Sequence, residues 1–233
     1  MELTYNAIAK RIDHSLLRPT LTEAELEDGC RLAARYGVAS VCIKPYAVAR
    51  AADILRGTGV FVGTTIGFPH GSQATAVKVY EAVQAIADGA TELDMVINIG
   101  QAQGGLWDAV EEDIVAVTRT AHDGEALVKV IFENCYLNDD QKVRLCGICG
   151  EVGADYIKTS TGYGTGGATR EDLILMRRAA PPSVKLKAAG GVRDLDTAIA
   201  FAELGCDRIG ASKTDEILEE LKSRLARTRG KTD

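Results

Sequence analysis

Short apolar runs recur along the chain, and most of them follow a stretch with helical spacing and a glycine. These glycines are Gly37, Gly59, Gly89, Gly124, Gly153 and Gly205. A glycine just past a helix readily takes the left-handed conformation that satisfies the last helical carbonyl groups. The residues after each glycine are rich in valine, isoleucine and threonine, which favour strands. Each junction is therefore predicted to be a loop from a helix to a strand.

A proline pair before residue 184 ends one further helix, and an apolar run near the start supplies a first strand. The predicted strands lie near residues 11–17, 39–44, 60–66, 91–97, 127–133, 154–159, 184–188 and 207–211. Strict alternation of strands and helices implies a parallel sheet, and eight is the strand number of a closed barrel. We predict an α/β fold, a (β/α)8 TIM barrel, as a single domain over residues 1–228, with a disordered tail at 229–233. A doubly wound open sheet is the competing architecture.

The predicted helices carry apolar residues at helical spacing, and these stripes would pack against the outside of the barrel. In the helix after the third strand, the stripe is predicted to be Val79, Val83 and Ile86. In the helix before the fifth strand, it includes Ile114 and Val117.

Composition and charge narrow the class of function. The net charge is -6, and basic residues do not cluster before the tail, which argues against a nucleic-acid binder. No apolar run approaches the roughly 18 residues of a membrane span, and the first residues lack the order of a secretory signal. The six cysteines are scattered, as in reduced cytosolic proteins, and the pair Cys146 and Cys149 has no second pair to complete a zinc site. We expect a cytoplasmic protein with small-molecule partners, no nucleic acid and no membrane, and a homo-oligomer stays open.

Ionisable residues end several predicted strands, where (β/α)8 barrels place their catalytic groups. They are Asp13, Lys44, Asp94, Glu133, Lys158 and Lys187. Lys158 and Lys187 stand on neighbouring strands among apolar residues, where desolvating a charge costs several kcal/mol. A nearby ammonium and dry surroundings both lower a lysine pKa and so produce a nucleophilic amine. The alternative is that each lysine pairs with a carboxylate in a structural ion network.

A nucleophilic amine attacks a carbonyl to form an imine, an electron sink that permits C–C cleavage when an acid or base lies nearby. Asp94 can serve directly or through a water, and it can equally be the ion-pair partner of Lys158 or Lys187. Glu133 and Lys129 share a face of the fifth strand, and spacing alone does not choose between them and Asp94.

Glycine-bearing turns follow the last three predicted strands: STGYGTGG, AAGG and IGAS. A tight strand-to-helix turn explains any one of them. Three at one end of a barrel predict an anion site built from backbone N–H groups, and hence a phosphorylated substrate. The histidines, His14, His70 and His122, are too few and too dispersed for a metal-dependent aldolase, so we expect neither a metal nor another cofactor.

Together these motifs match a known family: the chain resembles deoxyribose-phosphate aldolases over nearly its whole length. The most specific matching segments are ADYIKTSTGYGTGGAT, VKLKAAGGVR, ADGATELDMVINIG and IDHSLLRPTLT. The resemblance implies that Lys158 is the Schiff-base lysine, Lys187 the lysine that perturbs it, and Asp94 the proton-transfer carboxylate. The residues that it places around the phosphate are Gly162, Gly190, Gly191, Gly210 and Ser212. The implied reaction is the reversible cleavage of 2-deoxy-D-ribose 5-phosphate to acetaldehyde and D-glyceraldehyde 3-phosphate.

Three positions depart from the family pattern. Some members end in a tyrosine that reaches the active site, whereas this chain ends in Lys-Thr-Asp at 231–233. Many have a second serine where Lys213 stands, and some have a lysine where Tyr163 stands. A tail-borne proton relay and a third active-site lysine are therefore not expected. Lys213 either contacts the phosphate or pairs with Asp215 or Glu216.

Two other functions compete with this reading. One is an imine-forming lyase on the same barrel that cleaves a longer ketose phosphate. The other is a silent sugar-phosphate sensor, against which the intact Lys158, Lys187 and Asp94 argue.

Overall fold

Eight parallel strands form a closed barrel in the computed structural model, which describes residues 2–229. The strands are β1 (Ile12–Leu16), β2 (Ser40–Ile43), β3 (Phe61–Ile66), β4 (Glu92–Val96), β5 (Leu127–Ile131), β6 (Tyr156–Lys158), β7 (Lys185–Ala188) and β8 (Arg208–Ala211). Each lies within its predicted range. Because β1 pairs with both β2 and β8, the sheet has no edges, which confirms the TIM barrel and excludes the open doubly wound sheet.

Helices alternate with the strands and surround the barrel. They are α1 (Tyr5–Ala9), α2 (Glu23–Tyr36), α3 (Val48–Leu55), α4 (Thr75–Ala87), α5 (Ile99–Gln103), α6 (Trp107–Asp123), α7 (Asp139–Val152), α8 (Arg170–Ala179), α9 (Leu195–Glu203) and α10 (Thr214–Arg229). The short α1 was not predicted, and it packs against α9 and α10. Residues 230–233 of the predicted tail lie outside the described residues, so the domain boundary at residue 228 stays a prediction. Within residues 2–229, no helix is both long enough and apolar enough to cross a membrane.

Local sequence signals start and stop these helices. Capping boxes begin two of them: Thr22 with Glu25 at α2, and Asn138 with Gln141 at α7. The last carbonyl groups of α2 are closed by Gly37 in the left-handed conformation, as predicted.

Gly124 behaves differently from its predicted role. Its φ is -99°, and the left-handed residue is Glu125, one position later, with φ 58°. The reason for glycine is close packing, because an added Cβ would lie 2.8 Å from Ile86 Cδ1 of α4. Gly124 is therefore needed for the approach of α6 to α4 and not for a left-handed cap.

The buried face of α4 is also rotated from the predicted one. Val83 of the predicted stripe is 53% exposed, and Val79 and Ile86 are only half-buried. The buried positions are instead Lys78 and two alanines, and Lys78 forms an ion pair with Asp113 of α6. Because a buried ammonium must be paired, α4 turns the lysine inward toward its carboxylate partner and turns a valine outward.

Alternate strand residues face opposite sides of the barrel, and the apolar core lies outside it, between sheet and helices. Outward residues include Val41, Val62, Leu93, Val130, Ile157, Leu186 and Ile209, all buried. The inward positions are unusually polar for this fold, because the interior of such a barrel is commonly filled by branched apolar side chains instead. The fold thus concentrates charge along the barrel axis.

Candidate active site

Three predicted site residues meet inside the barrel. The Nζ atoms of Lys158 and Lys187 each lie 2.7 Å from the same oxygen, Oδ2 of Asp94. Lys158 pairs in register with Lys187 on the neighbouring strand, which turns both side chains toward the barrel axis. All three side chains are almost completely buried. The two lysines therefore compete for one carboxylate oxygen in a dry environment.

These residues belong to a larger group of inward-facing ions, here called the interior network. Its basic members are Lys129, Lys158, Lys187 and Arg208. Its acidic members are Asp13, Glu92 and Asp94. Lys129 reaches all three carboxylates, with Nζ 2.6 Å from Glu92, 2.9 Å from Asp94 and 3.4 Å from Asp13. Arg208 contacts Asp13 at 2.5 Å and Glu92 at 2.7 Å.

Lys187 contacts a second carboxylate, whereas Lys158 does not. Lys187 Nζ lies 2.5 Å from Asp13 Oδ2, a contact that lacks hydrogen-bond geometry and is best described as an ion pair. Within residues 2–229, Asp94 is the one acidic partner of Lys158.

The surroundings shift the pKa values of the two lysines in opposite directions. Burial lowers the pKa of Lys158; Asp94 opposes this shift and the Lys187 ammonium adds to it. Burial also disfavours the charged form of Lys187, but Asp13 and Asp94 outweigh burial and raise its pKa. The sequence predicted this difference between the paired lysines: the lowered pKa of Lys158 favours a free amine, and Lys187 remains a cation.

Asp94 is held in its ionised form. Burial alone would raise its pKa, yet Lys129, Lys158 and Lys187 together hold it well below its usual range. A carboxylate stabilised in this way is a weak base. Asp94 is better suited to binding cations and polarising a bound water than to removing a proton unaided.

A cavity of about 380 Å³ opens onto the two lysines at the carboxyl ends of the strands. Lys158 and Lys187 lie at its inner end. The five residues predicted to surround a phosphate also line it: Gly162, Gly190, Gly191, Gly210 and Ser212. The structure therefore brings all predicted site residues to one place, with Asp94 just beneath the cavity surface.

The glycine turns at this cavity are packed backbone against backbone. An added Cβ at Gly167 would lie 2.3 Å from the carbonyl oxygen of Gly190, and Ala168 N donates to that oxygen at 3.1 Å. Within the described chain, the backbone N–H groups of Gly162, Gly191 and Ser212 donate no hydrogen bond. Free N–H groups in turns that line one cavity can bind an anion.

Glu133 and Lys44, two other predicted strand-end candidates, lie outside this group. Glu133 stands beyond the end of β5 with a left-handed φ of 56°, which breaks the alternation that would have placed it beside Lys129. Its carboxylate accepts hydrogen bonds from the backbone and side chain of Thr161. Lys44 donates to the carbonyl oxygen of Leu21 at 2.9 Å. Both side chains position loops, so the predicted shared face of Glu133 and Lys129 is wrong.

The histidines are dispersed in space as in sequence. His14 faces outward from β1, and its Nδ1 lies 2.8 Å from Thr214 Oγ1. Burial lowers the pKa of His14 to about 4, against the opposing charge of Asp215, so its imidazole is neutral near pH 7. His122 ends α6 and contacts Asp155 at 2.9 Å, and His70 is exposed on the loop after β3.

Lys213 follows β8 and forms an exposed ion pair with Glu216 on the first turn of α10. This is the second of its two predicted arrangements. Such pairs contribute at most about 1 kcal/mol. In the described structure the Lys213 ammonium is therefore engaged by a carboxylate of α10.

We expect Lys213→Ser to change the Michaelis constant for a phosphorylated sugar by less than twofold, because the free N–H groups of the glycine turns remain in place. Steady-state kinetics with phosphorylated and unphosphorylated deoxyribose measure the effect. Lys222→Ser, which removes a similar exposed pair with Glu219, is the matched control. A several-fold rise confined to the phosphorylated substrate would assign Lys213 to the phosphate site.

Sequence reasoning missed Glu92 and Arg208 as members of the site. Each stands two residues before a predicted site residue, Asp94 or Gly210, and so shares its inward face. That period of two was the available signal. Cys42 also faces inward, with Sγ 3.9 Å from Asp94 Oδ2, and burial followed by the Asp94 charge raises its thiol pKa to about 11.

Comparisons with known proteins show which family the chain is similar to. The model of the DeoC/LacD family aldolases matches residues 7–213. A deoxyribose-phosphate aldolase of Rhodopirellula baltica is 56% identical over 95% of this chain and 92% of its own length. One of a Geobacillus strain is 50% identical over 92% of this chain and 96% of its own length. The tetrameric deoxyribose phosphate aldolase of Aeropyrum pernix superimposes with a TM-score of 0.88 at 32% identity, covering 94% of this chain and 93% of the other.

Proposed function

The chain belongs to the DeoC/LacD family of aldolases, and we propose that it cleaves 2-deoxy-D-ribose 5-phosphate reversibly through an imine on Lys158. The observation that carries this proposal is the position of the Lys158 amine. It lies at the inner end of the cavity, with a lowered pKa, against the Asp94 oxygen that it shares with the Lys187 ammonium. The relatives from Rhodopirellula baltica and the Geobacillus strain are deoxyribose-phosphate aldolases, which supports a deoxyribose phosphate as the substrate.

In the proposed reaction, the neutral Lys158 amine attacks the C1 aldehyde of the open-chain sugar, and loss of water gives an iminium ion. As the C3 hydroxyl gives up its proton, its oxygen forms a double bond to C3 and the C2–C3 bond breaks. The electron pair of the broken bond forms the C1–C2 double bond of an enamine and neutralises the iminium nitrogen. D-glyceraldehyde 3-phosphate leaves, C2 of the enamine takes up a proton, and hydrolysis releases acetaldehyde and the free amine.

Each neighbour has a distinct task in this scheme. Lys187 stays charged, favours the neutral form of Lys158 and can donate a hydrogen bond to the substrate oxygen during attack. Asp94 stabilises the iminium charge and moves protons through a water, since its lowered pKa makes it a poor base on its own.

We propose that the phosphate binds at the glycine turns, held by the backbone around Gly162, Gly190, Gly191 and Gly210 and by the Ser212 hydroxyl. The free N–H groups at these turns support this assignment, and they lie in the same cavity as the lysines. The relative from Aeropyrum pernix is tetrameric, and we propose that this chain also forms a homo-oligomer. A cytoplasmic location stays a prediction from the scattered cysteines.

Turnover of deoxyribose 5-phosphate and of fructose 1,6-bisphosphate separates this function from its rivals. We expect cleavage of the deoxy sugar with a kcat/KM at least about a hundredfold higher, and no change in rate when a chelator is added. A preference for the ketose bisphosphate would indicate the other lyase. Binding without cleavage of either sugar would indicate a sensor. Loss of activity on chelation, restored by a divalent metal, would contradict an imine mechanism.

A further inference from the structure

The interior network has an unequal number of basic and acidic groups. It contains four basic side chains and three carboxylates, namely Asp13, Glu92 and Asp94. β2 and β3 add no ion, because Cys42 is a protonated thiol and β3 presents Gly63 and Thr65 inward. With every group ionised, the barrel axis would carry one uncompensated positive charge in a dry environment, which is unfavourable.

The contacts identify the basic group that is easiest to discharge. Lys129 reaches three carboxylates, and Lys187 and Arg208 reach two each. Lys158 shares a single oxygen of Asp94 with Lys187. Loss of a proton from Lys158 therefore breaks the fewest ion contacts and leaves three cations facing three anions.

We propose that Arg208 and Glu92 are positioning residues for catalysis, because their fixed charges determine how readily Lys158 becomes a neutral amine. This inference rests on the proposed role of Lys158. Arg208 forms ion pairs with Glu92 and with one oxygen of Asp13, so these carboxylates are not available to stabilise a fourth ammonium. Neither side chain lines the cavity or contacts Lys158, so both act through the charge of the network.

The excess of basic groups in the interior network also affects a later step of the proposed reaction. An iminium ion on Lys158 restores the fourth positive charge, and the interior network again carries one cation in excess. Flow of the C2–C3 electron pair into the iminium removes that excess charge. The barrel interior thus favours the enamine over the iminium, which is the direction of C–C cleavage.

Charge-removing variants at the two positions should shift the pH profile in opposite directions. Arg208→Met leaves three basic groups for three carboxylates, so Lys158 is stabilised as an ammonium. The acidic limb of kcat/KM should then move to higher pH. Glu92→Gln leaves four basic groups for two carboxylates, which favours the neutral amine and moves the limb to lower pH. We expect shifts on the order of one pH unit, as for a unit charge several ångströms away at an effective dielectric constant of about 20.

The double variant and a control separate charge from structural damage. Arg208→Met combined with Glu92→Gln leaves three basic groups for two carboxylates. The excess of one basic group is then the same as in the parent. The acidic limb of the double variant should therefore lie within about 0.3 pH units of the parent's limb. Lys142→Met removes a largely buried cation that pairs with Asp172 outside the barrel. It should alter stability without moving the limb.

The measurement is the pH dependence of kcat/KM, together with the pH dependence of acetaldehyde trapping on Lys158 by cyanoborohydride. Opposite shifts in the single variants, cancelled in the double variant, would support the proposal. The proposal would be overturned if acetaldehyde is still trapped on Lys158 but the acidic limbs of the two single variants stay in place or shift in the same direction. Absence of a Lys158 adduct in the parent enzyme at any pH would instead refute the proposed function. If Arg208→Met does not fold, Glu92→Gln decides alone, and an unchanged or raised limb overturns the inference.

Discussion

Replacing Lys158 by methionine is expected to lower kcat for deoxyribose 5-phosphate cleavage by at least about ten-thousand-fold, because the proposed electron sink is the imine on Lys158. Methionine has nearly the same length, so the cavity and the phosphate turns should keep their shape. The Michaelis or dissociation constant should therefore change far less than kcat. Steady-state kinetics and ligand binding by calorimetry measure the two effects.

Stability gives a second readout for the same variant. If Lys158 is a neutral amine in the parent, its loss leaves three cations facing three carboxylates, and the free energy of unfolding should change by no more than about 1 kcal/mol near pH 7. Lys185→Met, at the exposed start of the neighbouring strand β7, is the control and should keep full activity. Residual activity of Lys158→Met within a hundredfold of the parent would mean that another amine carries the reaction.

Lys187→Leu is expected to lower kcat/KM at neutral pH by about 10²–10³-fold and to move the acidic limb to higher pH. The Lys187 ammonium lowers the pKa of Lys158, so its removal raises that pKa and leaves more of the amine protonated at neutral pH. Removal also leaves three basic groups for three carboxylates. Activity should recover in part as pH rises above the new limb, and the pH profile of kcat/KM measures this.

Lys187→Arg is the matched control, because it keeps a positive charge between Asp13 and Asp94. It should retain the limb of the parent even if its altered geometry lowers the maximal rate. If Lys187→Leu lowers the rate without moving the limb, the role of Lys187 is steric or hydrogen-bonding and not electrostatic. Unchanged rate and profile would make Lys187 purely structural.

The barrel was predictable because its signals are local. Six glycine junctions, one proline pair and a first apolar run predicted the eight strands, and each strand was found within its predicted range. The exceptions arise from tertiary contacts that no local pattern contains. The burial of Lys78 depends on Asp113, 35 residues away, and the glycine at 124 is required by Ile86 of another helix.

The site was predictable to the extent that its residues end strands. Lys158, Lys187 and Asp94 were found by their positions and by the resemblance, and the structure brings them together. Glu92 and Arg208 were missed because alternation shows which residues share a face but not which face points inward. Once the contact of Lys158 with Asp94 defines the inward face, the same period of two includes Glu92. The left-handed backbone at Glu133 shows where that period ends.

Reductive trapping tests the central claim most directly. The protein is incubated with acetaldehyde and borohydride, digested, and mapped by mass spectrometry for a lysine that carries one ethyl group. We predict stoichiometric inactivation with the adduct on Lys158, and no inactivation when either acetaldehyde or borohydride is omitted. An adduct on Lys187 or Lys44 with Lys158 unmodified, or full activity after treatment, would contradict the account.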